Sequence, residues 1–322
     1  MYYEEYLEKN FAQQTAFNNI KKYHELGFKG KGITILNAES KSDHRVMTSQ
    51  ALKDYAPDVT ILESPISAST SNGKLVYARV SINDETLEIE QAIDKYNIKI
   101  ITCSRTGTAS DALLVHLRDL IKRKGIILVC CSGNYGENGL YAKDNTAIVV
   151  SAILIKDDGS IKLAYYGSVG EIDFTNFMAK GTGSSASAPA TAGEIALLLQ
   201  RYGDFNHAEC IEILKSISKP IGDSKYYGYG VPILPLRDTL PILDELRENN
   251  KPEKPSEPEE GDSEMEFSDI EKDRWSKPAI DRCATEGLFL GYEDGTFRPT
   301  EYVTREQMAA ILVRILDKVE GR

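Results

Sequence analysis

A chain of 322 residues with 41% apolar and 27% charged side chains exceeds one average domain and has ordinary globular composition, so one large core plus a smaller unit is expected. The net charge of −11, without a lysine- or arginine-rich run, argues against nucleic acid as a partner. Nothing resembles a membrane span, and the five cysteines contain no C-x-x-C pair, so buried thiols are expected in place of a disulfide framework.

The start, Met1-Tyr2-Tyr3-Glu4-Glu5, lacks the basic opening and apolar stretch of a secretion signal. Residues up to about Glu25 read as a polar helix, which Gly27-Phe28-Lys29-Gly30-Lys31-Gly32 breaks before the apolar run Ile33–Leu36. Strand-like runs recur at Val59–Leu62, Ile98–Ile101, Ile126–Val129 and Ile148–Val150, with helical patterns between several of them, notably Ala112–Lys124. This alternation predicts an α/β fold with a doubly wound, mostly parallel sheet covered by helices. The predicted domain spans residues 1–245 and is followed by an acidic, proline-rich linker over 246–264, whose Lys251–Gly261 stretch has too little apolar content to order itself. Residues 265–322 form a small α-helical unit, with amphipathic patterns at Trp275–Ile280 and Arg305–Leu312 flanking a glycine turn.

Gly183-Ser184-Ser185-Ala186-Ser187-Ala188-Pro189 leads into a small-residue helix over Ala190–Leu199. A serine where a loop enters a helix can present its hydroxyl to a cleft, although alone such a stretch is more often a tight packing contact. It resembles the G-T-S-x-A-x-P nucleophile motif of the subtilisin-like serine peptidases, with Ser185 as nucleophile and Ser184 in place of threonine. Val129–Gly136 resembles the A-A-G-N-x-G segment of that family, which implies Asn134 as the oxyanion donor, where the plainer alternative is a turn asparagine. Ile101–Gly107 resembles the segment that pairs with extended substrate, implicating Ser104, Arg105 and Thr106, and Tyr227-Gly228-Tyr229-Gly230 resembles the turn closing the domain. The resemblance covers roughly residues 25–240.

Asp43–Pro57 resembles the histidine helix of the family, which makes His44 the general base, with Arg45 replacing the glycine that normally follows and able to crowd the cleft or contact substrate. His24, His116 and His207 fall in helical patterns on polar faces, where solvated side chains are expected. The aspartate expected at the end of the first strand is Asn37, only seven positions before His44 (44 − 37). Asn37 can orient His44 without stabilising its imidazolium, Glu39 can replace the lost carboxylate, and Asp43 is placed to cap the helix.

Phe267–Ile270, Arg274-Trp275, Gly287–Tyr292, Asp294–Pro299 and Val303–Gln307 resemble in order an S-layer-homology repeat. Such modules bind secondary cell-wall polysaccharide, which implies that Arg305 contacts its anionic groups. Trp275 is either a platform for a sugar ring or a hydrophobic anchor of the module. Only one repeat is found where relatives commonly carry three, which points either to homo-oligomerisation or to weak binding. The alternative is a module kept for oligomerisation alone.

The expected function is a serine endopeptidase acting on protein or peptide substrates and tethered to the cell wall. Its rival is a catalytically silent scaffold or wall-binding protein of the same fold. No cofactor is expected, and no acidic cluster is specific enough to name a calcium site, which leaves a structural calcium ion open. The module implies an extracellular or wall-associated location, and the start without a secretion signal points to lysis-dependent or phage-related release, to an incomplete N-terminus, or to a cytoplasmic protein.

Overall fold

A computed structural model describes residues 15–134, 137–143, 146–155, 161–163, 173–177, 184–249, 267–292 and 294–320. The chain divides into two compact units, residues 1–250 and 251–322. The first unit opens with α1 (15–25), β1 (Thr34–Asn37), α2 (Asp43–Tyr55) and β2 (Thr60–Glu63). There follow β3 (Ser67–Ser71), β4 (Lys74–Ile82), β5 (Glu85–Glu88), α3 (Ile89–Tyr96), β6 (Ile98–Cys103), α4 (Asp111–Lys124) and β7 (Ile127–Cys131). The short pair β8 (Gly133–Asn134) and β9 (Glu137–Asn138) precedes β10 (Ile148–Ile155), β11 (Ile161–Leu163), β12 (Phe174–Phe177) and α5 (Ser184–Tyr202). The unit closes with α6 (His207–Ile217), β13 (Ser218–Lys219), α7 (Ser224–Tyr227), β14 (Val231–Pro232) and α8 (Pro241–Asn249).

Every residue of β7 is buried, as a strand covered on both faces requires. Ile127, Val129 and Cys131 join the core with α5, whereas Leu128 and Cys130 join the core with α4, as the two-residue period of a strand dictates. The sheet runs β11-β10-β7-β6-β1-β2, with β12 also on β10, and its β7, β6, β1 and β2 neighbours are all parallel. Burying each such Leu or Ile contributes about 1.5–3 kcal/mol.

From β1 the chain moves to β2 on one side and then returns to β6 on the other, so the winding reverses between β1 and β6. A crevice opens beyond the carboxyl ends of the strands at such a point. Glu39 follows β1 and Ser104 follows β6, so both lie at this crevice.

The antiparallel sheet β3-β4-β5 was not among the expected elements. Its outer strands β3 and β5 have no fully buried residue, whereas β4 alternates, with Ala78, Val80 and Ile82 buried between exposed Arg79 and Ser81, and Asn72-Gly73 and Asn83-Asp84 both take positive φ, the backbone that tight hairpins demand. At the other end, Pro241 opens α8 at a position that needs no N–H, and buried Leu243 anchors it. Residues 246–249, expected to begin the linker, therefore continue a helix, and Lys251–Glu266 lies outside the described residues.

The second unit contains α9 (Lys277–Thr285) and α10 (Arg305–Glu320) around a small core of Phe267, Ile280 and Ala284, with Phe297 against Phe267 at 5.2 Å between ring centroids. The Asp269 carboxylate accepts the N–H groups of Phe297 and Arg298 at 2.8 and 2.7 Å and fixes the connection between the helices. Thr304 Oγ1 accepts Gln307 N–H at 3.1 Å while Gln307 Oε1 accepts Thr304 N–H at 2.8 Å, a reciprocal cap that starts α10. No described helix in either unit is long and apolar enough to cross a membrane.

Candidate active site

After β1, Ala38 N–H still bonds to Thr102 O on β6 at 2.8 Å, and Glu39 N–H then turns back onto Asn37 O at 2.8 Å. This reversal carries the Glu39 side chain inward, where only 2% of it is exposed. One carboxylate oxygen lies 3.1 Å from His44 Nδ1 and the other accepts Ser104 N–H at 2.5 Å. Ser104 in turn donates its hydroxyl to Ser185 O at 2.8 Å, and Ser185 Oγ lies 3.5 Å from Ser104 O. Three stretches distant in sequence, one carrying Glu39 and His44, one Ser104 and one Ser185, thus form one connected group.

Asn37 takes another direction. Its amide donates to Thr48 Oγ1 and Ser49 Oγ, both at 2.9 Å, and latches β1 to α2. Both hydroxyl protons are already committed, Thr48 to Arg45 O and Ser49 to Glu63. The side chain at position 37 must therefore donate, which an amide does and a carboxylate cannot. The partner of His44 Nδ1 is Glu39, not Asn37, which corrects the expectation that Asn37 orients His44.

The hydrogen bond to Glu39 raises the His44 pKa above its ordinary 6.5, with the carboxylate charge adding to it and burial opposing it. His44 keeps 39% of its side chain exposed, so its ring reaches solvent. Ser185 stands in the first turn of α5, where backbone N–H groups lack intrahelical acceptors. Ser184 donates its hydroxyl to Gly133 O at 2.9 Å and holds β8 against this end of α5. Asn134 belongs to β8, and its side chain lies outside the described residues.

Close packing sets the distance between α2, which carries His44, and α5, which carries Ser185. A Cβ on Gly193 of α5 would stand 2.7 Å from Tyr55 Cβ of α2, so only glycine permits this approach. Ser42, not Asp43, is the N-cap of α2, and Asp43 is its first helical residue, a favourable place for a negative charge. Arg45 pairs with Glu63 at 3.3 Å, which draws it to the end of β2 and accounts for its charge within the fold.

His207 also departs from expectation. It is buried with 8% exposure, its Nδ1 accepts Leu128 N–H at 3.3 Å, and burial pushes its pKa down to about 4. The first residue of α6 shares its buried face with Cys210 and Leu214, three and seven positions on, so the helical repeat itself turns it to the sheet, against the expectation of a polar face. His24 binds Tyr55 O at 2.7 Å and is half-buried, as is His116. Burial pushes the thiols of Cys103 and Cys130 up, and that of Cys131 up to about 11, so none supplies a thiolate at neutral pH.

Arg105 O accepts Leu140 N–H at 2.9 Å, Gly107 N–H donates to Asn138 O at 3.0 Å, and Thr106 bridges Gly139 antiparallel. Residues 105–107 are therefore held along one edge by 138–140. Alternation turns the backbone groups of Ser104 and Thr106 to the opposite edge, the one on which Ser104 meets Ser185. In the second unit Trp275 is 90% exposed, so it anchors no core there, and Arg305 is exposed directly after the Thr304 cap.

The parallel sheet with its switch-point crevice, a serine at a helix start and a histidine held by a buried carboxylate define an α/β protein of the serine hydrolase type. Residues 42–230 match the subtilase family and residues 266–309 the S-layer homology domain. The chain belongs to the subtilase family and carries an S-layer homology domain. Subtilisin DY from Bacillus licheniformis is 27% identical over 195 residues, covering 55% of this chain and 67% of that protein. Outer membrane protein SlpA of Deinococcus radiodurans is 46% identical over 53 residues, 16% of this chain and 4% of its own length. The chain thus spans a small part of the S-layer relatives it matches. The structure of prenylagaramide maturation protease PagA is similar with a TM-score of 0.49 and 17% identity over 70% of this chain and 98% of that one. The subtilase match begins at Ser42, so Asn37 and Glu39 both precede it.

Proposed function

We propose that the first unit is a serine endopeptidase in which Glu39 fills the role of the missing strand-end aspartate. The buried carboxylate at 3.1 Å from His44 Nδ1 carries this reading. Ser185 Oγ attacks the scissile carbonyl carbon while His44 Nε2 takes its proton; the imidazolium so formed is stabilised by Glu39 through the Nδ1–H bond. The tetrahedral oxyanion sits at the start of α5, with the Asn134 side chain as a second donor. His44 then gives the proton to the leaving amine, and water repeats the sequence to release the acid. Extended substrate pairs along the edge of Ser104 and Thr106, with Arg105 beside it.

The S-layer homology unit tethers the enzyme to secondary cell-wall polysaccharide, with exposed Arg305 on its anionic groups and exposed Trp275 against a sugar ring. A fluorophosphonate probe tests the catalytic half of this reading. Adduct at Ser185, located by mass spectrometry and lost in Ser185→Ala, His44→Ala and Glu39→Gln, is the expected result. Folded protein that never labels is instead a silent member of the family acting as a wall-binding scaffold. Sedimentation with purified cell walls, and its loss in Arg305→Ala, tests the tether.

A further inference from the structure

The first unit holds four half-buried arginines among its described residues: Arg45, Arg105, Arg118 and Arg201. Three have partners for their guanidinium groups, Arg45 in Glu63, Arg118 in Thr146, and Arg201 in Asp238 and Leu236 O. Arg105 has neither an ion pair nor a side-chain hydrogen bond among the described residues, in a chain that carries 49 acidic and 38 basic side chains. Among the described residues this leaves Arg105 as a partly desolvated guanidinium without a carboxylate partner.

Its place makes that imbalance informative. Arg105 follows Ser104, the residue that touches both Glu39 and Ser185, and its carbonyl is fixed by Leu140 N–H. Its side chain leaves the segment on the face opposite that of Ser104. There it lies near buried Tyr141 and Cys103 on the α4 side, where its charge opposes the upward push that burial gives those groups. A peptide laid along the edge of Ser104 and Thr106 projects every second side chain onto that same face. A carboxylate presented there meets a guanidinium whose planar fork matches it and which no group among the described residues occupies.

We infer that Arg105 is a specificity-determining residue that selects substrates with an Asp or Glu side chain close to the scissile bond. The inference rests on the peptidase reading for its biological sense, but it is testable without catalysis. In the full chain carrying Ser185→Ala, a series of fluorescent octapeptides with a single Glu or Gln moved through each position is titrated by anisotropy. At one or two positions on the same face of the extended peptide, Glu is expected to bind about tenfold more tightly than Gln. The preference disappears in Arg105→Gln and inverts in Arg105→Glu, and it weakens as salt rises. The same peptides are then incubated with the chain that retains Ser185, and kcat/KM is compared.

Equal binding of Glu and Gln peptides at every position, or a preference that survives Arg105→Gln, overturns the inference while leaving hydrolysis to be judged separately. A preference that depends on Arg105 with no hydrolysis retains the acidic site and removes the peptidase reading. Failure to bind or cleave any peptide of the series by correctly folded protein overturns both.

Discussion

Glu39 and His44 stand five positions apart in sequence, and the buried carboxylate of the first meets Nδ1 of the second at 3.1 Å across the turn that joins β1 to α2. The second oxygen of Glu39 is held by Ser104 N–H, so the carboxylate cannot rotate away without losing a buried hydrogen bond. This pairing places the acid two residues beyond the end of β1 and carries consequences for rate, pH dependence and stability.

Glu39→Gln is expected to lower kcat/KM by about two to four orders of magnitude, because the amide neither stabilises imidazolium nor fixes the right tautomer. Glu39 raises the His44 pKa by favouring the protonated ring, and only the neutral ring accepts a proton from Ser185. The acidic limb of the kcat/KM profile therefore lies above pH 6.5 in the parent protein and moves down toward 6.5 in Glu39→Gln. The same shift makes the pair stabilising below about pH 6.5, with that contribution lost as pH rises through the folded value. Solvent exposure of His44 keeps the stability effect small, so the rate profile is the measurement that decides. An acidic limb that stays in place would separate Glu39 from the chemistry.

Restoring the aspartate at position 37 is expected to harm the protein. Asn37→Asp faces a carboxylate to two hydroxyl oxygens whose protons are engaged elsewhere, and it adds a second buried negative charge near Glu39. Urea unfolding should show a loss of roughly 1–3 kcal/mol, with no gain in kcat. A more active Asn37→Asp variant would contradict the assignment of Glu39.

Gly193→Ala tests whether helix spacing sets the site. The added methyl meets Tyr55 Cβ at 2.7 Å, so α2 must move from α5 and His44 from Ser185. A loss of roughly 1–3 kcal/mol in stability is expected, together with a fall in kcat larger than the change in KM. An unchanged kcat would mean that the His44 end of α2 does not follow its Tyr55 end.

His207 predicts acid sensitivity away from the site. Its folded pKa of about 4 lies below the ordinary 6.5, so unfolding takes up a proton between these values. Stability is full above about pH 6.5 and falls by about 3 kcal/mol as pH drops to 4. His207→Gln should be flatter across this window in urea midpoints, whatever its stability at pH 8.

Core strands and the long helix α4 were legible because burial on both faces demands apolar runs, and Ile127–Val129 has no polar position to confuse them. The hairpins of β3–β5 escaped because β3 and β5 bury no residue and lack an apolar repeat, although the alternation at Ala78, Val80 and Ile82 and the turn residues Asn72-Gly73 and Asn83-Asp84 were there to be read. His207 was misplaced because its residue type was read as polar, although its spacing to Cys210 and Leu214 puts it on the apolar face of α6.

By itself the sequence determined the core strands of the parallel sheet, the helix α4, and the candidate serine and histidine, since these depend on local periodicity and on motifs contiguous in the chain. Only the tertiary structure decided which group meets His44. Asn37 and Glu39 are neighbours on a line, and the turn at Ala38 sends one to the hydroxyls of α2 and the other under the imidazole. The selection lies in the donor and acceptor demands of groups brought together from distant positions, Thr48 and Ser49 on one side and Ser104 on the other, which no spacing along the chain records.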